Sequence, residues 1–195
     1  LSVGSNALVN FGPGTFTIVS NAVIDPGGVI TADGAGYAAA QGPGAGKCSS
    51  YQTYYYLPAA GGGGYGGCGG ATLAPMVYGG AAYGSYVDPI EKGSGGGYYF
   101  VIPKDRSGAG GGVIRMTVGG VFVCNGRISA NGNAGNVNGG GGGAGGSVWL
   151  TVGTLAGGGV VSANGGAGDG LGLYGSGGGG GGRVMIEYGA NLFFG

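Results

Sequence analysis

The sequence predicts an all-β fold, a glycine-rich β-solenoid of the parallel β-helix type with a Tyr/Gly-rich insertion. The main observation is a segment that occurs three times, at Thr15–Gly36, Val113–Gly135 and Ser147–Gly168, with half of a fourth copy at Arg183–Gly195. Each full copy has two short β-runs closed by Ser/Thr-Ala-Asn/Asp-Gly, which is typical of repeats that stack on one another. A β-sandwich and a polyglycine-packed β domain are the alternatives.

Alignment of the copies on their final glycine predicts columns of equivalent residues. The columns are Ile30, Ile128 and Val161, then Ala32, Ala130 and Ala163, then Asp33, Asn131 and Asn164. Because side chains in a strand alternate between its faces, the first two columns are expected to face the core. Asn or Asp before Gly suits a tight turn, and we expect these side chains to form hydrogen bonds along the stack.

The glycine content is the second observation, since 59 of the 195 residues are glycine. A strict Gly-X-Y period is absent, which excludes collagen, and the recurring Val, Ile and Phe runs argue against disorder. Tracts such as Gly139–Gly143 and Gly177–Gly182 recur at the same place in each unit. Such tracts are either mobile loops or segments that pack backbone against backbone, as extended helices with three residues per turn would do. Their recurrence favours the packed form.

Three regions are predicted along the chain. Residues 1–36 hold an N-terminal segment and the first repeat, residues 37–109 form the Tyr/Gly-rich insertion, and residues 110–195 hold repeats two to four, the last of them incomplete. The insertion is expected to project from the repeats. Its tyrosines are the predicted ligand surface, because tyrosine offers rigid amphipathic contact area. They are Tyr51, Tyr54, Tyr55, Tyr56 and Tyr65.

The charge composition excludes several classes of function. Seven basic and seven acidic residues give a net charge of zero, and histidine is absent. Nucleic-acid binding needs clustered Lys and Arg, so no nucleic-acid partner is expected. Nucleophile systems that depend on histidine are excluded. No apolar run reaches the length of about 20 residues that a membrane span needs.

The three cysteines predict at most one disulfide. Cys48 and Cys68 lie in the Gly/Tyr-rich region and are expected to pair, while Cys124 lies in a β-run and is expected to be a buried thiol. Such a disulfide indicates an oxidising compartment. No metal site and no cofactor are predicted, because the chain has neither histidine nor a CxxC pair.

Three further patterns favour structural roles over chemistry. The segment Gly42–Ser49 departs from the phosphate-loop spacing, and Asp169 is expected to be a solvated turn carboxylate. Asp88 and Glu91 are the only closely spaced carboxylates and are expected to belong to a turn opened by Asp-Pro. Trp149 is expected to pack in the core. We therefore expect no enzymatic activity.

The segments GGSVWLTVGTLAGGGVVSANGGAG and VIRMTVGGVFVCNGRISANG resemble the repeats of secreted bacterial right-handed β-helices. Filamentous-haemagglutinin-like adhesins and autotransporter passengers are the nearest types, and the glycine tract with its apolar strand at Gly177–Glu187 is similar to units of glycine-rich repeat proteins. The resemblance covers about residues 12–36 and 110–195. It implies an extracellular or cell-surface protein. The shared motifs are specific for a repeat architecture and do not indicate a catalytic site.

The function that follows is a structural subunit that assembles head-to-tail with itself into a surface filament. The apolar segments at the two ends are expected to complete each other between copies. The predicted assembly contacts are Leu1, Val3, Leu8, Val9, Phe11, Leu192, Phe193 and Phe194. The alternative is an adhesin or tip domain that binds a glycan or a protein through its Tyr-rich insertion.

Overall fold

The computed structural model describes residues 1–10, 15–48, 59–72, 76–98, 107–136, 139–170 and 175–195. Within these ranges all regular structure is β-strand, and no helix occurs. The ten strands are β1 (Ser2–Val3), β2 (Leu8–Asn10), β3 (Thr15–Ile18), β4 (Ala22–Ile24), β5 (Val29–Thr31), β6 (Val113–Cys124), β7 (Arg127–Ser129), β8 (Ser147–Gly157), β9 (Val160–Ser162) and β10 (Arg183–Phe193).

The strands form two sheets in which all neighbours are parallel. The larger sheet has six strands in the order β1-β4-β6-β8-β10, with β3 also paired to β6, and the smaller sheet has four in the order β2-β5-β7-β9. The chain visits the larger sheet and then the smaller one. We number these visits as levels: β1 and β2 are level one, β3 to β5 level two, β6 and β7 level three, β8 and β9 level four, and β10 level five.

The core lies between the two sheets and is built from the predicted columns. Ile30 pairs in register with Ile128, and Ile128 with Val161. The inward side chains of both sheets form one continuous apolar cluster, with Ile30 and Ile128 completely buried. The predicted column of Ile and Val is therefore confirmed, because a parallel ladder without an insertion keeps equivalent residues of each repeat opposite one another.

The predicted hydrogen bonds along the Asp/Asn column are also present. The side-chain carboxylate of Asp33 accepts the backbone N–H of Asn131 at 2.6 Å, and the side-chain carbonyl of Asn131 accepts the N–H of Asn164 at 2.7 Å. Each side chain thus binds the backbone of the next level. These bonds join successive levels at the point where the chain leaves the smaller sheet.

Between its visits to the sheets the chain forms a second structure, which we call the glycine bundle. It consists of segments that lie side by side and are mostly extended: 35–47, 59–70, 77–83, 93–98, 107–112, 132–136, 139–146, 163–168 and 175–182. Segment 35–47 also contains turns, with positive φ at Ala40 and Gly42. Segment 139–146 exchanges backbone hydrogen bonds with neighbours on all sides. Gly142 and Gly145, which are three positions apart, both donate to segment 175–182. That spacing is the period of a polyproline-II-like helix, in which every third N–H points in one direction.

The glycines in this bundle are required by the closeness of the backbones. A Cβ added at Gly143 would overlap the carbonyl oxygen of Ala109, and one added at Gly63 would overlap that of Ser94. Only a residue without a side chain allows extended backbones to approach so closely. The expectation that the glycine tracts pack backbone against backbone is confirmed by these contacts.

The prediction of a β-solenoid is wrong. The strands are confined to two parallel sheets, and between levels the chain leaves them for the glycine bundle instead of continuing as a regular coil of strands. The repeat pattern identified the strands correctly, but the glycine tracts have no side-chain pattern that could show where they go. The molecule is an all-strand protein with parallel sheets, whereas sandwiches are built from antiparallel ones.

Contrary to the expectation, residues 59–70 of the Tyr/Gly-rich region do not project from the fold. The N–H of Gly63 donates to the carbonyl of Gly142, and the N–H of Gly180 donates to the carbonyl of Gly63. Residues Ala59 and Ala60 are fully buried. The segment therefore forms part of the interior of the bundle, since its glycines serve the same close packing as those of the repeats.

Alanine substitutions at two adjacent glycines test whether the close backbone packing stabilises the fold. A Cβ at Gly180 would overlap the carbonyl oxygen of Gly67, whereas a Cβ at Gly181 would meet no atom within 4 Å. We expect Gly180→Ala to lower the free energy of unfolding by about 1–3 kcal/mol, as overpacking does. Gly181→Ala should leave it unchanged or raise it by about 0.4–1 kcal/mol. Urea titrations of both variants make the comparison, and equal midpoints would contradict it.

Candidate functional site

Strand β10 forms one edge of the larger sheet. Its 11 residues pair with β8 on one side, and no described residue pairs with its other side. A long parallel strand with a free edge presents a row of unpaired N–H and C=O groups. This edge can therefore accept a further strand.

The core columns become exposed at this edge. Val148 is 0% exposed, but Val184, its partner on β10, is 45% exposed. Val152 is 5% exposed and its partner Tyr188 is 53% exposed. The physical reason is that, among the described residues, no strand of the smaller sheet faces β10, so its inward side chains have no opposite layer.

The smaller sheet has a matching free edge at β9. The N–H of Ala130 donates to the carbonyl of Ser162 at 2.9 Å, whereas the equivalent N–H of Ala163 has no acceptor among the described residues. Likewise, the side chain of Asn131 accepts an N–H from Asn164, but no described residue donates to the side chain of Asn164. These unpaired groups point to the position that a fifth strand of the smaller sheet would occupy.

The opposite end of the sheets is also uncovered. Among the described strands, β1 pairs only with β4, β2 only with β5, and β3 only with β6. Leu8 and Phe16 are exposed there, although Phe16 continues the inward column of Met116 and Leu150. Both ends of the molecule thus present strand edges with apolar side chains.

The predicted assembly contacts fall into three groups. Leu1, Leu8, Leu192 and Phe194 are exposed at the two edges, as an assembly contact requires. Val9 and Phe193 pack partly against the core. Val3 is 2% exposed, so its side chain is committed to the molecule's own core and is not a free contact. Phe11 lies outside the described residues.

The predicted tyrosine surface has to be corrected at Tyr65. Its ring is fully buried beside Tyr83, with ring centroids 5.0 Å apart. Its hydroxyl lies 2.7 Å from the Ser147 Oγ, which itself donates to the Glu91 carbonyl. Burial raises the pKa of Tyr65. This tyrosine fastens the bundle to β8 and cannot contact a ligand; Tyr51, Tyr54, Tyr55 and Tyr56 lie outside the described residues.

Arg183, the first residue of β10, completes the buried cluster around Tyr65. Its guanidinium donates to the carbonyl of Tyr83 at 3.0 Å and lies 5.3 Å from the centre of the Tyr65 ring. The buried atoms Glu91 Oε2 and Arg183 Nε have no hydrogen-bond partner among the described residues. The cluster anchors the beginning of the edge strand to the glycine bundle.

The structure places Trp149 on the outer face of the larger sheet, so the prediction of a core position is wrong. It lies in register with Arg115, whose guanidinium is 4.0 Å from the centre of a Trp149 ring. The indole N–H and the hydroxyl of Thr151 both donate to Glu187, at 3.0 and 2.8 Å. These hydrogen bonds lower the pKa of Glu187. Its neighbours Val148 and Leu150 are completely buried instead, because side chains alternate between the two faces of a strand.

The predicted disulfide between Cys48 and Cys68 is absent, and all three cysteines are free thiols. Gly67, which precedes Cys68, accepts a hydrogen bond from Tyr65, whereas Lys47, which precedes Cys48, accepts one from Gly61, so the two cysteines lie at different positions along the bundle. The argument for an oxidising compartment no longer has this support. The expectation of a buried thiol at Cys124 is confirmed.

The other sequence candidates have structural roles. The N–H groups of Gly44, Gly46 and Lys47, which a phosphate loop would offer to its ligand, donate to Ser94, Gly95 and Tyr78. The backbone N–H of Asp88 donates to the Ser85 hydroxyl, in agreement with a turn. Among the described residues no group of three or more potential metal ligands occurs.

Asp169 differs from its prediction as a solvated carboxylate. It is buried, and its side chain accepts the N–H of Gly139 at 2.7 Å. Gly139 has a φ of 93° and begins the central segment of the bundle. Asp169 therefore stabilises the turn into that segment rather than facing water.

Comparisons of the chain with protein-family models, with curated proteins and with solved structures found no match. The resemblance to secreted adhesins therefore stays a prediction. Across the part of the chain that the structure describes, no helix has the length and hydrophobicity to cross a membrane.

The reactivity of the three thiols tests where the structure places the cysteines. Burial raises the pKa of Cys124 to about 11, so little thiolate forms at neutral pH, whereas Cys48 and Cys68 are exposed. We expect a thiol reagent to modify Cys48 and Cys68 quickly in the folded protein and Cys124 only after unfolding. Peptide mass spectrometry with and without urea identifies the modified residues. Rapid labelling of folded Cys124 would contradict its burial.

The burial of Tyr83 is expected to make the free energy of unfolding fall at high pH. Its hydroxyl accepts a hydrogen bond from Ser94 and donates to the carbonyl of Lys92, and burial raises its pKa from 10.0 to about 12. The folded state favours the neutral phenol, so this contribution is complete below pH 10 and is lost as the pH rises towards about 12. Urea midpoints measured across that range should fall. Tyr83→Phe should flatten the fall, and the control Tyr86→Phe, at an exposed site, should not.

Proposed function

We propose that the protein is a non-enzymatic, extracellular structural protein whose copies assemble head-to-tail into a filament. The observation that carries this proposal is the pair of uncovered sheet edges, at β10 and β9 on one end and at β1, β2 and β3 on the other. To continue both sheets in parallel with their inner faces on the same side, an edge at one end has to pair with the opposite end of another copy. Such a contact does not close on itself and extends into a fibre.

The energetics favour association at these edges. Val184, Tyr188 and Val160 are apolar or aromatic side chains exposed at one end, and Leu8 and Phe16 are exposed at the other. Burying a side chain of this size contributes about 1.5–3 kcal/mol. The net charge of zero removes the repulsion between copies that keeps many proteins apart. The proposed extracellular location follows from the resemblance to secreted adhesins.

An adhesin that binds through its Tyr-rich region is the second candidate. Tyr86, Val87 and Ile90 are exposed on a loop whose backbone is fixed by the Ser85 hydroxyl, which accepts N–H groups of Val87 and Asp88 at 3.2 Å. Exposed apolar side chains on a fixed loop are typical of recognition surfaces. This candidate requires no contact at the sheet edges.

Assembly can be tested with a pair of tyrosines of similar exposure. Tyr188 lies at the β10 edge and is 53% exposed, and Tyr78 lies on the glycine bundle and is 65% exposed. We expect Tyr188→Asp to raise the concentration needed for filament formation by about tenfold or more, because a desolvated carboxylate would face the contact. Tyr78→Asp is the control. Sedimentation and negative-stain electron microscopy across a concentration series measure the difference.

Two results would refute the proposal. Dispersed monomers of the unaltered protein at every concentration would exclude assembly and favour the adhesin candidate. Filaments of Tyr188→Asp that form at the same concentration as those of Tyr78→Asp would exclude the β10 edge as the contact. Thermal unfolding of both variants checks that each keeps the fold.

A further inference from the structure

The two ends of the molecule are complementary parts of one level. A complete level has a first segment in the larger sheet, such as Val113–Val118, a second segment there, and a strand in the smaller sheet. Level five has both larger-sheet segments, Arg183–Tyr188 and Ala190–Phe193, but no described strand in the smaller sheet. Level one has the second segment, β1, and a smaller-sheet strand, β2, but no described first segment. Among the described strands, the segments at one end therefore complement those at the other.

The two ends overlap in one segment only. Ser2 aligns with Val23, Val123, Ala156 and finally Leu192 across the larger sheet, so β1 and the second half of β10 occupy the same column. Two intact copies stacked end on end would place β1 beyond β10. The smaller sheet would then keep an empty position beside β9.

The unpaired groups beside β9 indicate the strand that belongs there. The N–H of Ala32 donates to Ser129 and that of Ala130 donates to Ser162, so each level donates to the next. Among the described residues, the N–H of Ala163 has no such acceptor, although Ala163 is buried. An unpaired buried N–H is costly. Asn10 of β2 stands in the same column as Ser162, so its carbonyl in a second copy has the required position.

We propose that copies join through a composite level, in which β1 and β2 of a second copy replace the second half of β10. This inference rests on the proposed self-assembly and names its contact. The second copy's β2 pairs with β9, its β1 pairs with Ala156 and Gly157 of β8, and residues 189–194 of the first copy are released. The first half of β10 is held by side-chain hydrogen bonds, from Arg183 to the carbonyl of Tyr83 and from Trp149 and Thr151 to Glu187. Leu192 in the second half and Phe194 just after it are exposed, so the second half is the part of β10 that leaves more readily.

The joint continues both sheets without a gap. The first half of β10 stays in place, and the second copy's β3 lies directly beside it, because β3 belongs to level two. In that register Phe16 meets Ile186 and Ile18 meets Tyr188, in the columns that they already share within one molecule. Leu8 meets Val160 and Val9 meets Val161. Exposed side chains of the first half of β10 and of β9 thereby gain neighbours from the second copy.

Cross-linking of two cysteine pairs tests the joint. Both are made in a Cys48→Ser, Cys68→Ser background, which removes the exposed native thiols. The pair Asn10→Cys with Ser162→Cys lies on β2 and β9, which are separated by β5 and β7 within one molecule. The separation of about 14 Å exceeds the roughly 7 Å limit for a disulfide between Cα atoms. Any disulfide between these positions must therefore join two copies.

We expect this pair to form a ladder of covalent multimers on oxidation, visible on a non-reducing gel and collapsed by reductant. The control pair is Ser2→Cys with Leu192→Cys, which would be adjacent only if intact copies stacked on β10. A ladder from the control pair instead of the first pair would overturn the composite level. Filaments of the unaltered chain without a ladder from the first pair would also overturn it, while self-assembly would stand. Absence of any filaments would refute self-assembly itself.

Hydrogen exchange gives an independent reading on the unaltered protein. On assembly we expect the exchange rates of the Val184–Tyr188 amides to fall by about tenfold or more, because a new strand covers them. The amides of Ala190–Phe193 should exchange faster, because their segment is released. Stacking on an intact β10 predicts slower exchange in both segments, and that result would overturn the composite level.

Discussion

In the glycine bundle, carbonyl oxygens lie where the side chains of neighbouring segments would otherwise begin. Gly143 lies against Ala109, and Gly177 lies against Gly70, with no room for a Cβ in either place. This close approach allows the backbone groups of extended segments, which have no internal hydrogen bonds, to bond to their neighbours. Fixing glycine is entropically costly, and the hydrogen bonds formed on several sides of each segment offset that cost.

The sheets depend on the bundle for their register. Each long strand begins where a bundle segment ends: Gly112 leads into β6, Gly146 into β8 and Gly182 into β10. Because these segments are hydrogen-bonded to one another, the first residues of β6, β8 and β10 are aligned. Equivalent residues of the repeats therefore lie opposite one another in the sheet. The buried core of Ile, Val, Met and Phe follows from that alignment, as does the exposed edge at β10.

The same alignment leaves the edges of the two sheets as the surfaces that a partner can cover. The described residues use their few polar side chains for internal bonds: Asp33 and Asn131 join levels, Tyr65 and Arg183 join the bundle to the sheet, and Asp169 closes a turn. The uncovered apolar columns at the two ends are the groups whose burial remains incomplete. Because the apolar columns at the two ends share one register, a second copy of the chain presents side chains that can cover them.

The sequence by itself determined the strands, the inward columns such as Ile30, Ile128 and Val161, and the turn side chains that link levels, because these features depend on side chains with a period that can be read. It also located Leu1, Leu8, Leu192 and Phe194, which are exposed at the two ends. Only the tertiary structure decided that the glycine tracts form a bundle, that Tyr65 is buried within it, and that Trp149 faces outward. Backbone-to-backbone packing leaves no side-chain pattern, and a register shift near Val118 and Val121 moves residues between positions that an alignment cannot distinguish.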